Sequence, residues 1–135
     1  MRVLCSECAW GAPVGALGVC ARCGGILRPN YPDEAVTALA AIQPGPGIDR
    51  YRAVLPVSTP IPFLGEGDTP LIRSRKIGPA LGLQNLFFKN EGRNPTGAFK
   101  DRAGAMAAAL ALESGASGVL TASSGNAASA ISAYC

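Results

Sequence analysis

The chain has 135 residues, 48% hydrophobic and 16% charged, which can fill the core of one domain but hardly of two. Twelve basic and nine acidic residues leave a net charge of only +3, and the basic residues are scattered, so nucleic-acid binding is not the expected role. Histidine is absent, which excludes His-based triads, His general bases and His-ligated metals within this chain. The longest apolar run, Ala103 to Leu112, is mostly alanine and is interrupted by Gly104, so no membrane span is expected. Arg2, Glu7 and four cysteines within the first 23 positions do not read as a signal peptide. The expectation is a soluble cytoplasmic protein.

Residues 1–30 form the first predicted unit. Cys5-x-x-Cys8 and Cys20-x-x-Cys23 are two knuckles separated by eleven residues, and Gly24-Gly25 supplies a tight turn that brings backbone N–H groups toward sulfur. Four thiolates fit a tetrahedral zinc site. Disulfides are the alternative, but nothing in the sequence indicates secretion. A unit of about 30 residues buries little core, so the metal supplies folding energy, and four cysteines leave no open position for substrate. Zinc is therefore expected to be structural. Cys135 lies in an apolar helical pattern and reads as a small buried thiol.

Residues 31–62 read as a connector. Asp33 to Ile42 predicts a short helix with Ala35, Val36, Leu39 and Ile42 on one face, ended by Gln43-Pro44-Gly45-Pro46-Gly47. Pro56, Pro60 and Pro62 keep the following stretch extended up to the Gly65-Glu66-Gly67 turn.

Residues 63–135 carry the more regular pattern. Arg73 to Leu81 predicts a helix stopped by Gly82, Asn85 to Asn90 a strand, and Ala98 to Ser114 a helix stopped by Gly115. Gly118 to Ala122 predicts a second strand and Gly125 to Cys135 a further helix. Alternating strands and helices predict an α/β fold, a parallel sheet with helical crossovers, preceded by the small zinc ribbon. In that fold Lys100 and the Ser123–Asn126 loop both follow strand ends and emerge on one edge of the sheet.

Lys100 follows a Pro/Gly turn, in Asn94-Pro95-Thr96-Gly97-Ala98-Phe99-Lys100-Asp101-Arg102, just inside a helix start. The positive end of the helix dipole disfavours a charged amine there and leaves more of the nucleophilic neutral form, which suits Schiff-base chemistry. A solvated lysine beside Asp101 is the plainer alternative. Asp101 and Arg102 read as a local charge pair. Thr121 to Ser129 reads as an anion-binding turn of small polar groups at a helix entry, or as an ordinary helix cap made by Ser124 or Asn126.

These segments together resemble the pyridoxal-phosphate enzymes of fold type II, specifically the threonine synthase branch. The lysine segment is close to that family's P-T-G-S-F-K-D-R pattern, Ser123-Ser124-Gly125-Asn126 resembles its S-S-G-N loop, and Gly65 to Leu71 resembles its G-E-G-x-T-P-L segment. The resemblance runs from about Arg50 to the C-terminus, with Ala98 where serine is usual and Ala103 where glycine often stands. An N-terminal zinc ribbon is similar to that of several such proteins. The resemblance implies that Lys100 carries pyridoxal 5′-phosphate and shuttles protons, that Asn126 donates to the cofactor ring hydroxyl and that Phe99 packs on the cofactor. It further implies that Ser123, Ser124, Gly125 and Ala127 hold the substrate carboxylate, with Thr69, Lys89 and Asn94 as candidates for lining the substrate phosphate or the loop beneath it.

The reaction so implied converts O-phosphohomoserine and water to threonine and phosphate, in an enzyme that is a homodimer at full length. Threonine or serine dehydratases and cysteate synthase-like lyases are alternatives with a similar lysine motif. A zinc-ribbon binding or regulatory module on a non-catalytic scaffold is the alternative of another class. The family's Gly-rich phosphate cup and the polar residue facing the pyridine nitrogen lie downstream of Asn126, so the expectation is a truncated N-terminal portion, inactive alone. The expected partner is a small amino-acid substrate, with neither nucleic acid nor membrane.

Overall fold

A computed structural model of the chain describes residues 2–13, 16, 18–32, 34–35, 37, 42 and 44–135. The helix predicted over Asp33 to Ile42 falls largely outside the described residues.

The N-terminal unit is a three-stranded antiparallel sheet in the order β2-β1-β3, built from β1 (Arg2–Cys5), β2 (Gly11–Ala12) and β3 (Leu27–Asn30). Each Cys-x-x-Cys segment is a tight turn at the end of this sheet, one closed by Ala9 N–H to the Cys5 carbonyl and the other by Gly24 N–H to the Cys20 carbonyl. Gly24 has φ of 75°, a left-handed conformation that glycine adopts without strain. Val3 and Leu27 face Pro56 and Leu110 across a cavity of about 210 Å³, so the sheet sits against the outer flank of a long helix.

That helix, α2 (Lys100–Glu113), is the centre of the second unit, which also contains β4 (Leu71–Arg73), α1 (Ile77–Ala80), β5 (Phe87–Lys89) and α3 (Asn126–Tyr134). Two 3₁₀ helices, Gly47–Val54 and Glu91–Arg93, complete the described elements. The core joins Ile48, Val57 and Ile61 to Ala105, Ala108, Ala109 and Tyr134. Alanines on α2 permit close approach: a Cβ added at Gly104 would lie 3.1 Å from the Ala130 backbone and from the Tyr134 ring. The Glu113 carboxylate accepts the N–H groups of Ser58 (2.6 Å) and Thr59 (3.2 Å), pinning the extended segment along the last turn of α2. The helix then stops where expected, with Gly115 at φ 69° and the Gly115 and Ala116 N–H groups turned back to the Leu112 and Ala111 carbonyls.

Four expectations are corrected. The parallel sheet is not formed among the described residues: β4 and β5 pair antiparallel, with Leu71 opposite Lys89 and Arg73 opposite Phe87. Arg73 thus begins no helix, and α1 is one short turn starting at Ile77. The strand predicted over Gly118 to Ala122 is unpaired, with Leu120 99% exposed. A strand exists through its hydrogen-bonded neighbour, and no described strand runs beside this one. Cys135 is exposed, because it follows the last residue of α3 instead of lying within its packed face.

Candidate functional site

The four N-terminal cysteines converge: the sulfurs of Cys5, Cys8, Cys20 and Cys23 all lie within 4.8 Å of one another. The Cys5–Cys23 and Cys8–Cys20 separations are 3.4 and 3.7 Å. A tetrahedron with metal–sulfur bonds of about 2.3 Å has an edge of about 3.8 Å, so the donor set fits one metal ion. The Glu7 N–H points at Cys5 Sγ and the Arg22 N–H at Cys20 Sγ, each at 3.4 Å, which favours thiolate. Backbone N–H groups, that of Cys8 foremost, hold the Cys5 thiol down at about 6. At Cys23 the Gly25 N–H acts in the same sense but is outweighed by the Cys5, Cys8 and Cys20 sulfurs and by burial, which push the thiol up to about 12. Clustered sulfurs resist full ionisation until a cation joins them.

Lys100 is the first residue of α2, half-buried, with its Nζ 4.9 Å from the centroid of the Phe99 ring. Phe99 is exposed. The polar residues around them are engaged in fixing the backbone. Asn94 and Gly97 close a β-turn at 2.8 Å. Asp101, fully buried, accepts the Thr96 N–H (2.8 Å) and hydroxyl (2.6 Å), tying the turn to the first turn of α2. Arg102 forks onto Glu91 at 2.9 and 3.0 Å. The expected Asp101–Arg102 pair is therefore absent: adjacent helical residues point about 100° apart, and each finds a partner on a different segment.

Glu91 is the hub that sequence reading missed. It accepts from Arg102, from the Thr69 hydroxyl at 2.6 Å and from the Asn94 amide at 3.1 Å. Arg102, then Thr69, then Asn94 hold its carboxyl down at about 2, while Glu91 in turn raises the Arg102 guanidinium. Lys89 donates to the Thr69 carbonyl, and Asn94 accepts the Gly67 N–H at 3.0 Å. Thr69, Lys89 and Asn94 thus have internal partners in this network. The signal available in sequence was a carboxylate three residues before Asn94 and eleven before Arg102, too far apart for a single helical face to suggest the pair.

Ser123 is half-buried, Ser124, Gly125 and Asn126 are exposed, and Ala127 is half-buried. Gly125 is the cap residue of α3 and no side chain caps this helix, so neither Ser124 nor Asn126 plays the plain capping role. The Ser123 hydroxyl accepts the Gly125 N–H at 3.2 Å. Gly104 of α2 meets Ala130 of α3, and one turn on Ala108 shares a cavity wall with Tyr134 and Cys135, so the helices run parallel. Lys100 and Asn126 each precede the Gly104–Ala130 contact by four residues, so both helices start from the same end. Helix packing, not a shared sheet edge, sets the two segments at the same end of the helix pair. An amine, an aromatic face and uncapped helical N–H groups with hydroxyl and amide side chains suit a flat, anionic, aldehyde-bearing cofactor.

Comparison with known proteins places these residues in context. A model of the family described as pyridoxal-phosphate dependent enzyme matches residues 62–135. The chain is 48% identical over 90 residues to a threonine synthase of Synechocystis sp., covering 64% of this chain and 24% of that protein. It is 35% identical over 136 residues to a threonine synthase of Methanocaldococcus jannaschii, covering 96% of this chain and 34% of that one. A threonine synthase of Mycobacterium tuberculosis is 45% identical over 103 residues, 73% of this chain and 28% of that protein. The chain thus spans about a quarter to a third of the length of these relatives. No solved structure matches.

Proposed function

The chain belongs to the pyridoxal-phosphate dependent enzymes, and we propose that it is an N-terminal portion of a threonine synthase-type lyase that converts O-phosphohomoserine and water to threonine and phosphate. The observation that carries the reading is the parallel packing of α2 and α3, which starts Lys100 and Asn126 from one end of a helix pair. Similarity to threonine synthases supports the choice of substrate.

Pyridoxal phosphate, when bound, supplies the electron sink that such an elimination needs. Lys100 holds the cofactor and its Nζ moves a proton on the substrate's carbon chain. Phe99 shields one face of the cofactor from water, and Asn126 donates to its ring hydroxyl. Ser123, Ser124, Gly125 and the Ala127 N–H hold the substrate carboxylate, which the positive end of α3 favours. Thr69 belongs to the substrate-binding set by resemblance, and its hydroxyl donates to Glu91, the partner of Arg102. The Asp101–Thr96 and Arg102–Glu91 bonds hold the Lys100 backbone still while the amine works.

Zinc is the metal we assign to Cys5, Cys8, Cys20 and Cys23, since an all-thiolate closed set suits it and leaves no site for substrate. In the same reading the complete enzyme is a cytoplasmic homodimer that takes a small amino-acid substrate and neither nucleic acid nor membrane. No described helix is long and apolar enough to cross a membrane.

The test is an absorbance titration of the purified chain with pyridoxal phosphate, then borohydride reduction and peptide mapping. A visible band and a reduced adduct on Lys100 are expected. Labelling spread evenly over Lys76, Lys89 and Lys100 would count against the assignment of Lys100.

A further inference from the structure

Glu66 sits in a turn between Gly65 and Gly67, whose φ values of 103° and 92° require glycine, and it is 1% exposed. Both of its described bonds end on one oxygen: Oε2 accepts the Leu64 N–H at 3.1 Å and the Tyr134 hydroxyl at 2.7 Å. On the other side of the same turn the Gly67 N–H donates to Asn94. A single three-residue turn is therefore bonded to the residue six positions before Lys100 and to the residue eight positions after Asn126. Tyr134 also packs its ring beside Gly104, where α2 and α3 touch. A carboxylate this deep is stable only while its donors stay in place, so the Tyr134 hydroxyl is held to one position and not merely accommodated. Burial first, and then Glu66, raises the Tyr134 phenol, which keeps it a proton donor.

We propose that Glu66 and Tyr134 are positioning residues: their buried bond sets how far α3 slides along the Gly65–Gly67 turn, and so how the Ser123–Ala127 loop faces Lys100. This rests on the reading of Lys100 given above. The role is alignment and not charge, because one acceptor oxygen serves both donors. Gln at position 66 can supply that oxygen. Met there cannot, and Phe at position 134 removes the donor while keeping the ring.

The experiment compares wild type, Tyr134→Phe, Glu66→Gln and Glu66→Met by reductive trapping with pyridoxal phosphate and borohydride. It scores adduct on Lys100 against Lys76 and Lys89, with thermal midpoints recorded in parallel. Tyr134→Phe and Glu66→Met should each lower the preference for Lys100 by about tenfold, whereas Glu66→Gln should stay within about twofold of wild type. Glu66→Met repeats the test should Tyr134→Phe not fold. A lowered midpoint with unchanged preference in Tyr134→Phe would make the bond a stability element only and overturn the proposal. Equal loss in Glu66→Gln and Tyr134→Phe would overturn it in favour of a charge effect. Absence of any Lys100 preference in wild type is a separate result, which removes the assignment of Lys100 and the positioning role with it.

Discussion

Arg102 and Glu91 illustrate how a residue that looks peripheral in a motif can be tied to a separate segment of the chain. Their forked ion pair is about a quarter to a third exposed, so its strength comes from geometry and from the Thr69 and Asn94 bonds that share the carboxylate. Replacing Arg102 by Met should destabilise the fold by about 2 kcal/mol, measured by urea unfolding at neutral pH. The pH dependence has a definite sign. Glu91 has an ordinary value of 4.5 and a folded value of about 2. Its contribution is fully present above about 4.5 and is lost as pH falls toward about 2. Glu91→Gln should flatten the fall of the urea midpoint in that window, and an unchanged pH profile would show that other carboxylates dominate it. The polar residues of the lysine motif were legible in sequence as a set. Their partners Glu91 and Gly67 were not, because they reach Arg102 and Asn94 across turns whose shape no local pattern encodes.

Packing of α2 on α3 depends on the absence of side-chain volume. Gly104→Val should destabilise by about 2 kcal/mol despite removing a glycine from a helix, since the added carbons meet the Ala130 backbone at 3.1 Å and backbone cannot retreat as a flexible side chain would. Chemical denaturation tests this, with Ala107→Val on the same helix as the comparison. Within the ribbon, a Cβ at Gly25 would fall 2.8 Å from Cys5 Sγ and 2.6 Å from Glu7 Cγ. Gly25→Ala should therefore weaken metal binding by about tenfold or more in competition with a chromophoric chelator, and undiminished affinity would show that the knuckle yields. Both helices of this pair were legible within two residues of their ends, because glycine stops and alanine runs act locally. The short α1 and the β4–β5 pairing were not, since three-residue strands carry too little pattern to distinguish from a turn.

The chain as a whole combines a small unit with few buried side chains and a larger one built on α2. Val3, Cys5 and Cys20 are the described core residues of the ribbon, too few to hold three short strands without help. Removing metal with a chelator should strip amide-exchange protection from β1, β2 and β3, while α2 and α3 keep theirs. Loss of protection everywhere at once would instead show that the ribbon and the helix pair unfold as one unit. The amino-acid sequence by itself determined the four-cysteine set, the lysine at a helix start, the small polar loop and their order, because spacing and turn chemistry are properties of neighbouring residues. Tertiary structure alone decided that α2 and α3 run side by side, that Arg102 answers Glu91 and not Asp101, and that Tyr134 reaches Glu66 across 68 positions. Such contacts are selected by packing among segments far apart in the chain, where van der Waals fit and the need to satisfy buried polar groups act on all of them together.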